Sequence, residues 1–143
     1  MDKTGPIVIV DDDADDLEIF NLALKSLEVK NQILLFDEAK GFLNYMRDKK
    51  ELVFFILCDI NMPQMDGFQL RNEINTDSTL AAISIPFIFF STSGDINQIS
   101  QAYKAPIQGY FMKPSSFEDI KRMFSCIISY WDNSTHPTYQ HNV

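Results

Sequence analysis

Three aspartates, a group of hydroxyls and a lysine each stand directly after a short apolar run in this 143-residue chain. Asp11 and Asp12 follow Ile7–Val10, and Asp59 ends the run Val53–Cys58. Ser91, Thr92 and Ser93 follow Pro86–Phe90, and Lys113-Pro114 follow Gly109–Met112. Carboxylates gathered at one place repel each other, so one takes up a proton or a cation binds among them. An oxygen-only donor set suits Mg2+, which accepts a few carboxylates or carbonyls and keeps several waters. A lysine and a hydroxyl beside it complete a site for a phosphoryl group. An aspartate can itself be the nucleophile and form an acyl phosphate. Asp59, alone at the end of its run, is the natural choice. Blander readings exist for each residue. Asp13 to Asp16 suit helix capping and a helix dipole, Lys113 could be a solvated surface lysine, and Ser91 to Ser93 could be a turn. Acids directly abutting a buried strand, as Asp11 and Asp12 do, are harder to explain that way.

The elements that must position these residues are legible as alternation. The apolar runs Ile7–Val10, Ile33–Phe36, Val53–Cys58, Pro86–Phe90 and Gly109–Met112 read as strands. Between and after them lie helical spacings over Asp15–Leu27, Glu38–Met46, Phe68–Ile74, Ile96–Tyr103 and Phe117–Trp131. Strands that are continuously apolar, rather than alternating, suit a parallel sheet covered on both faces. Strand and helix in turn, five times, predict a doubly wound α/β domain. Such sheets bind ligands at the carboxyl ends of their strands, where the acids, hydroxyls and lysine fall. The aromatic run of Phe87, Phe89 and Phe90 is read as core filling.

Composition excludes other classes. Hydrophobic residues make up 45% and charged residues 22% of the chain, an ordinary composition for one folded domain. A formal net charge of -8 opposes a phosphate backbone, so direct nucleic-acid binding is not expected. No apolar stretch nears the roughly 20 residues that cross a bilayer, and the N-terminal run ends in acids, unlike a signal peptide. No membrane insertion is expected, and cytoplasmic residence is the default. Cys58 and Cys126 are expected as buried free thiols, since they show no disulfide or zinc spacing. Residues 132–143 read as a polar frayed tail carrying His136 and His141, with nothing to orient either imidazole.

Four segments in order, IVIVDD at 7–12, DINMPQMDG at 59–67, PFIFFSTS at 86–93 and GYFMKP at 109–114, resemble the receiver domain of two-component response regulators, of the single-domain chemotaxis type. The resemblance runs from about Ile7 to Trp131, with a receiver domain placed at 5–131. It implies a flavodoxin-like, five-stranded parallel sheet of order 2-1-3-4-5 with five flanking helices. It implies Asp59 as phosphoacceptor, Asp12 and Asp59 as direct Mg2+ (or Mn2+) ligands, Asp11 holding the metal through water, and Asn61 lending its backbone carbonyl. Lys113, Ser91 and Thr92 would bind the phosphoryl oxygens. Ser91 and Tyr110 would be the switch pair, Asn61 and Ser93 would tune self-hydrolysis, and Lys113-Pro114 would be a cis peptide.

The implied partners are a sensor histidine kinase or histidine phosphotransfer protein, and an unidentified downstream protein docking on the face of the fourth helix, fifth strand and fifth helix. Phosphorylation-linked dimerisation is left open. The implied role is a signalling phosphoacceptor with self-catalysed transfer and dephosphorylation, not an enzyme acting on other substrates. Ser91 stands where many relatives carry threonine, and Thr92 is larger than the alanine or glycine common there. A phosphohydrolase of the haloacid dehalogenase type is the main rival. It needs an aspartate two residues after the nucleophile, where this chain has Asn61. A pseudo-receiver that docks without phosphorylation is the second rival, opposed by the intact acid, hydroxyl and lysine set. No output domain is visible after Trp131, so a stand-alone receiver is expected.

Overall fold

The structure, a computed structural model, describes residues 5–49 and 51–137. Five strands, β1 (Ile7–Val10), β2 (Ile33–Phe36), β3 (Phe55–Asp59), β4 (Phe87–Ser91) and β5 (Gly109–Met112), form one sheet in the order β2-β1-β3-β4-β5. All four pairings are parallel. The central strands are buried along their whole length, which is why they read as unbroken apolar runs.

Among the described residues six helices, rather than the five expected, flank the sheet. They are α1 (Ala14–Ser26), α2 (Ala39–Lys49), α3 (Gly67–Thr76), α4 (Ser78–Ile83), α5 (Ile96–Lys104) and α6 (Phe117–Asn133). The additional helix, α4, is only six residues long. Asp77 caps it by accepting from the Thr79 and Leu80 N–H groups, and Ser84, with φ 59°, ends it in the left-handed region. Its two buried residues, Leu80 and Ile83, are too few for a recognisable helical stripe.

Alternate strand residues point to opposite faces of the sheet and build two cores. On one face Ile7, Ile9, Leu57, Ile88 and Phe90 pack against α1 and α6 through Phe20, Leu24, Phe124 and Trp131. On the other, Val8, Val10, Ile56, Phe87 and Phe89 pack against α2 to α5 through Phe42, Met46, Leu70, Leu80 and Ala102. The phenylalanines of β4 are fully buried, as expected of core residues.

Two sequence readings need correction. Cys58 is buried, but Cys126 is exposed, because its place on α6 falls on the water side, beside the buried stripe of Met123, Phe124 and Ile127. The packed domain also does not stop at Trp131. Helix α6 continues to Asn133, and His136 is buried with its ring against Phe54 and Trp131. Its Nε2 meets the Phe54 carbonyl at 2.5 Å. Tilted and edge-on ring contacts and a backbone partner, neither visible in a polar stretch of sequence, hold this part of the expected tail. His141 lies outside the described residues.

Candidate functional site

The site is built where four parallel strands end. Asp11 follows β1, and its N–H donates to the Phe36 carbonyl at the end of β2. Asp59 is the last residue of β3 and pairs in register with Phe90 of β4. Ser91 ends β4. The Lys113 N–H donates to the Ser91 carbonyl at 2.8 Å, so the lysine enters beside the strand next door. Topology alone thus brings residues from four parts of the chain to one edge.

Asp11, Asp12 and Asp59 each offer a carboxylate oxygen, and these oxygens all lie within 4.8 Å of one another. Asp11 is fully buried, Asp59 is 6% exposed and Asp12 is open to solvent. Among the described residues this is the group of acids spaced to hold a cation. The Lys113 ammonium stands 2.9 Å from Asp11, 3.1 Å from Asp16 and 3.3 Å from Asp59, and 5.0 Å from the centre of the Phe90 ring. One lysine therefore faces several acids, and negative charge is left over.

Hydrogen bonds divide the carboxylate oxygens. Asp11 Oδ1 accepts from the Asp13 N–H, and Asp59 Oδ1 accepts from the Ile60 N–H. Asp59 Oδ2 accepts from Lys113. Asp11 Oδ2 is close to the ammonium but has no hydrogen bond of good geometry. A buried carboxylate oxygen without such a partner is costly, and an oxygen-binding cation would satisfy it. The donor set fits Mg2+ or Mn2+.

The titration of the site follows from burial. Burial pushes the Asp11 carboxyl up to about 6, against the Asp13 N–H and Lys113, which both favour its charged form. Burial likewise raises Asp59, opposed chiefly by Lys113. Burial alone would lower the Lys113 ammonium, but the negative charges of Asp11, Asp59 and Asp16 beside it outweigh that and raise it. The buried Cys58 thiol, whose Sγ lies 3.1 Å from the Asp59 carbonyl oxygen, is pushed well up by desolvation and the neighbouring acids. It stays an uncharged core residue.

The β3–α3 turn is tied to the end of β3 by hydrogen bonds and close backbone packing. Asp66 accepts from the Gln69 N–H while Gln69 Oε1 accepts from the Asp66 N–H, closing a reciprocal capping box at the start of α3. The Gly67 N–H donates to the Ile60 carbonyl at 2.8 Å. A Cβ on Gly67 would meet the Asp59 carbonyl oxygen at 2.6 Å and the Ile60 Cα at 2.9 Å. Only glycine lets α3 begin this close to the end of β3.

The hydroxyl side is arranged differently. Ser91 Oγ is buried and accepts from the Ser93 N–H at 3.1 Å and from Gln98 Nε2 at 3.2 Å. The same Gln98 nitrogen donates to the Tyr110 hydroxyl at 3.1 Å, which donates in turn to the Ser93 carbonyl at 2.8 Å. Tyr110 is half-buried.

The structure therefore gathers Asp11, Asp12, Asp59 and Lys113, and joins Ser91, Ser93 and Tyr110 in one network. Asn61 and Thr92 sit exposed on the two loops beside the strand ends. Pro114 is corrected. No cis peptide bond occurs among the described residues, and the bond before Pro114 is trans, the more stable isomer of a prolyl amide in the absence of an opposing constraint.

Sequence reading missed three contributors. Asp13 does cap α1, accepting from the Asp15 and Asp16 N–H groups, but Asp16 is more than part of a capping cluster because it turns to Lys113. Gly67 was legible only as a turn residue, and Gln98 carried no signal, because its partners are tertiary.

Residues 7–125 match the family of the response regulator receiver domain. A probable methanogenesis regulatory protein, FilR2 of Methanothrix harundinacea (strain 6Ac), is 30% identical over 129 residues, covering 87% of this chain and 82% of FilR2. The two-component response regulator ARR11 of Arabidopsis thaliana is 24% identical over 134 residues. There the match covers 90% of this chain but only 24% of ARR11. Among solved structures, the phosphorylated cyanobacterial phytochrome response regulator RcpA superposes with a TM-score of 0.81 at 25% identity, over 92% of this chain and 97% of RcpA. The Mn(2+)-bound form of response regulator Rcp1 gives 0.77 at 22% identity, over 92% and 98% of the two chains. With the doubly wound sheet, the acid cluster and the strand-end lysine in place, this chain belongs to the response regulator receiver domain family of two-component signalling.

Proposed function

We propose that Asp59 is the phosphoacceptor of a two-component relay. The observation that carries this is a nearly buried Asp59 carboxylate, at the end of β3, within 3.3 Å of the Lys113 ammonium and within 4.8 Å of two further acids. The donor is the phosphohistidine of a sensor histidine kinase or a histidine phosphotransfer protein. An Asp59 carboxylate oxygen attacks phosphorus, the P–N bond breaks, and the imidazole leaves and takes up a proton. Lys113 neutralises charge on the phosphoryl oxygens as it moves to them, and the Ser91 hydroxyl and the backbone by Thr92 lie on the neighbouring strand end to receive the group. A divalent cation, Mg2+ or Mn2+, held by Asp12, Asp59 and the Asn61 carbonyl, with Asp11 acting through water, supplies further charge neutralisation when bound. Asn61 and Ser93 flank the path of a hydrolytic water and set the lifetime of the acyl phosphate. The chemistry is self-catalysed on its own aspartate.

The readout is a surface. Ile96 and Tyr103 of α5, Met112 of β5, and Phe117 and Tyr130 of α6 are large apolar residues left exposed, Ile96 by 78% and Tyr103 by 55%. They lie on α5, β5 and α6, the elements that follow Ser91 in the chain and include Tyr110. A phosphoryl group adds roughly -1.5 to -2 charges at Asp59. Movement of Ser91 and Tyr110 toward the new charge alters that face for a downstream protein or a second copy. No helix among the described residues is long and apolar enough to cross a membrane, and a cytoplasmic setting suits a relay of this kind.

The test is intact mass after incubation with Mg2+ and acetyl phosphate, on wild type and Asp59→Asn. One added phosphoryl group, lost in the variant, is the expected result. An adduct that survives the substitution, or none in wild type, removes the reading.

A further inference from the structure

Gln98 stands between the two residues assigned to the switch and touches both. Tyr110 donates its only hydroxyl proton to the Ser93 carbonyl, so its oxygen must accept from Gln98. That fixes the Gln98 nitrogen, rather than its oxygen, as the atom facing the pair. Ser91 Oγ has two lone pairs and one proton. The Ser93 N–H and the Gln98 amide both donate to that oxygen, which leaves the Ser91 O–H to serve as a donor.

The place of Gln98 in its helix is a second, independent observation. Helix α5 begins at an Asp95 N-cap with glutamine three residues on, the spacing at which Gln69 closes a capping box with Asp66 in α3. In α5 the box stays open. The Asp95 N–H donates to Ser93 Oγ instead, and the Asp95 carboxylate accepts from Asn97. Gln98 gives up a local partner that its twin uses and spends both amide protons on Ser91 and Tyr110. A departure from a local rule of this kind marks a residue recruited by tertiary function.

We infer that Gln98 is a positioning residue that couples Ser91 to Tyr110, so that a displacement of the Ser91 hydroxyl toward Asp59 is transmitted to the Tyr110 phenol through one amide group. The inference rests on the receiver reading for its trigger. Its geometry stands without it. When Ser91 turns to a phosphoryl oxygen, the shared amide loses one acceptor, and the Tyr110 hydroxyl is released or re-formed with it. The hydrogen bonds of Gln98 reach neither Asp59, Asp11 nor Lys113, so acceptor chemistry and surface readout separate at this side chain.

The experiment uses the full chain labelled with 3-fluorotyrosine and read by 19F NMR, with the Tyr110 signal assigned through Tyr110→Phe. Gln98→Met keeps length and cannot donate, and Gln98→Glu keeps shape and at neutral pH only accepts. Gln98 is half-exposed in the first turn of α5, so neither change opens the core. Without metal, Ser91→Ala should move the Tyr110 resonance in the wild-type background and leave it within a few tenths of that shift in the Gln98→Met background. With Mg2+ and beryllofluoride, the Tyr110 response should fall at least threefold in both Gln98 variants, while Asp59 still takes up a phosphoryl group by intact mass. An unchanged Tyr110 signal in both variants overturns the coupling, as does a Ser91→Ala shift that persists without Gln98. Loss of the adduct in the Gln98 variants alone also overturns it, since Gln98 would then act on the acceptor. If wild type itself forms no adduct, the receiver reading fails, and the metal-free comparison still decides the coupling.

Discussion

Two helices of this domain begin with the same spacing and use it differently. Helix α3 opens with Asp66-Gly67-Phe68-Gln69, and α5 opens with Asp95-Ile96-Asn97-Gln98. In α3 aspartate and glutamine satisfy each other, and Gly67 lets the helix press on the backbone of Asp59. In α5 aspartate and glutamine part, and the glutamine reaches across to Ser91 and Tyr110. One start is closed on itself and packs against the backbone of Asp59. The other depends on tertiary partners and moves if they move. The site thus has a fixed carboxylate half and a hydroxyl half tied to a helix whose local cap is incomplete.

The sharpest way to break this contrast is at the two glycines. Gly67→Ala drives a Cβ into the Asp59 carbonyl oxygen and should cost about 2–3 kcal/mol in urea unfolding, as overpacking against immovable backbone does. Gly94, just before α5, would place its Cβ 3.5 Å from the Met112 Cε, an ordinary contact, and Gly94→Ala should stay within about 0.5 kcal/mol of wild type. Equal costs at the two positions would mean that the two helix starts are equally constrained.

Acidity probes the fixed half next. The folded-state pKa of Asp11 is raised from 3.8 to about 6, so folding favours its protonated form. That contribution to stability is fully present below about pH 4 and is lost as pH rises through about 6. In EDTA the protein should lose roughly 2 kcal/mol from this group across that window, and Asp11→Asn should flatten that part of the slope. Added Mg2+ should stabilise more at pH 7 than at pH 5, because protons compete for the same oxygens. A metal-free stability that instead rises between pH 4 and 6, and does so equally in Asp11→Asn, would remove the charge strain assigned to this half.

The caps give a smaller difference. Asp66→Ala opens a two-way box and should cost about 1–2 kcal/mol. Asp95→Ala removes a single bond to Asn97 and should cost about 0.5 kcal/mol. The smallest stability effects are at the glutamines. Gln69→Ala should lower stability by about 0.5 kcal/mol and leave the Tyr110 signal alone, whereas Gln98→Met should change stability by less than that and alter the Tyr110 signal. A reversal of that pattern would assign the local role to α5.

The fixed half was the more legible in sequence. A parallel sheet announces itself through runs such as Val8–Val10 and Phe55–Cys58, and the acids that end them are placed by the same periodicity. Strand limits moved by a residue or two. Val53 and Phe54 precede β3, where the Phe54 N–H bonds to the Pro6 carbonyl, and Asp59 proved to be part of the strand it ends. Asp11, Asp12, Asp59, Ser91 and Lys113 were readable because each follows a run. Gln98, Asp16 and His136 were not, because their partners lie 12, 97 and 82 positions away and no local pattern encodes them. Helix α4 was missed for the opposite reason, a local element with too few apolar residues to show a period.

The strand order has a consequence for how the chain reaches this state. β1 lies between β2 and β3, and every neighbouring pair is parallel, so no two strands can zip together through a tight turn. Ile7 pairs with Phe55 across a long stretch of chain that itself forms α1, β2 and α2, so β1 must meet β3 through a non-local contact. Until then the segments IVIV and FFILC are unpaired apolar strands, open to self-association during synthesis or refolding. Refolding yield should therefore fall with protein concentration well before native stability does.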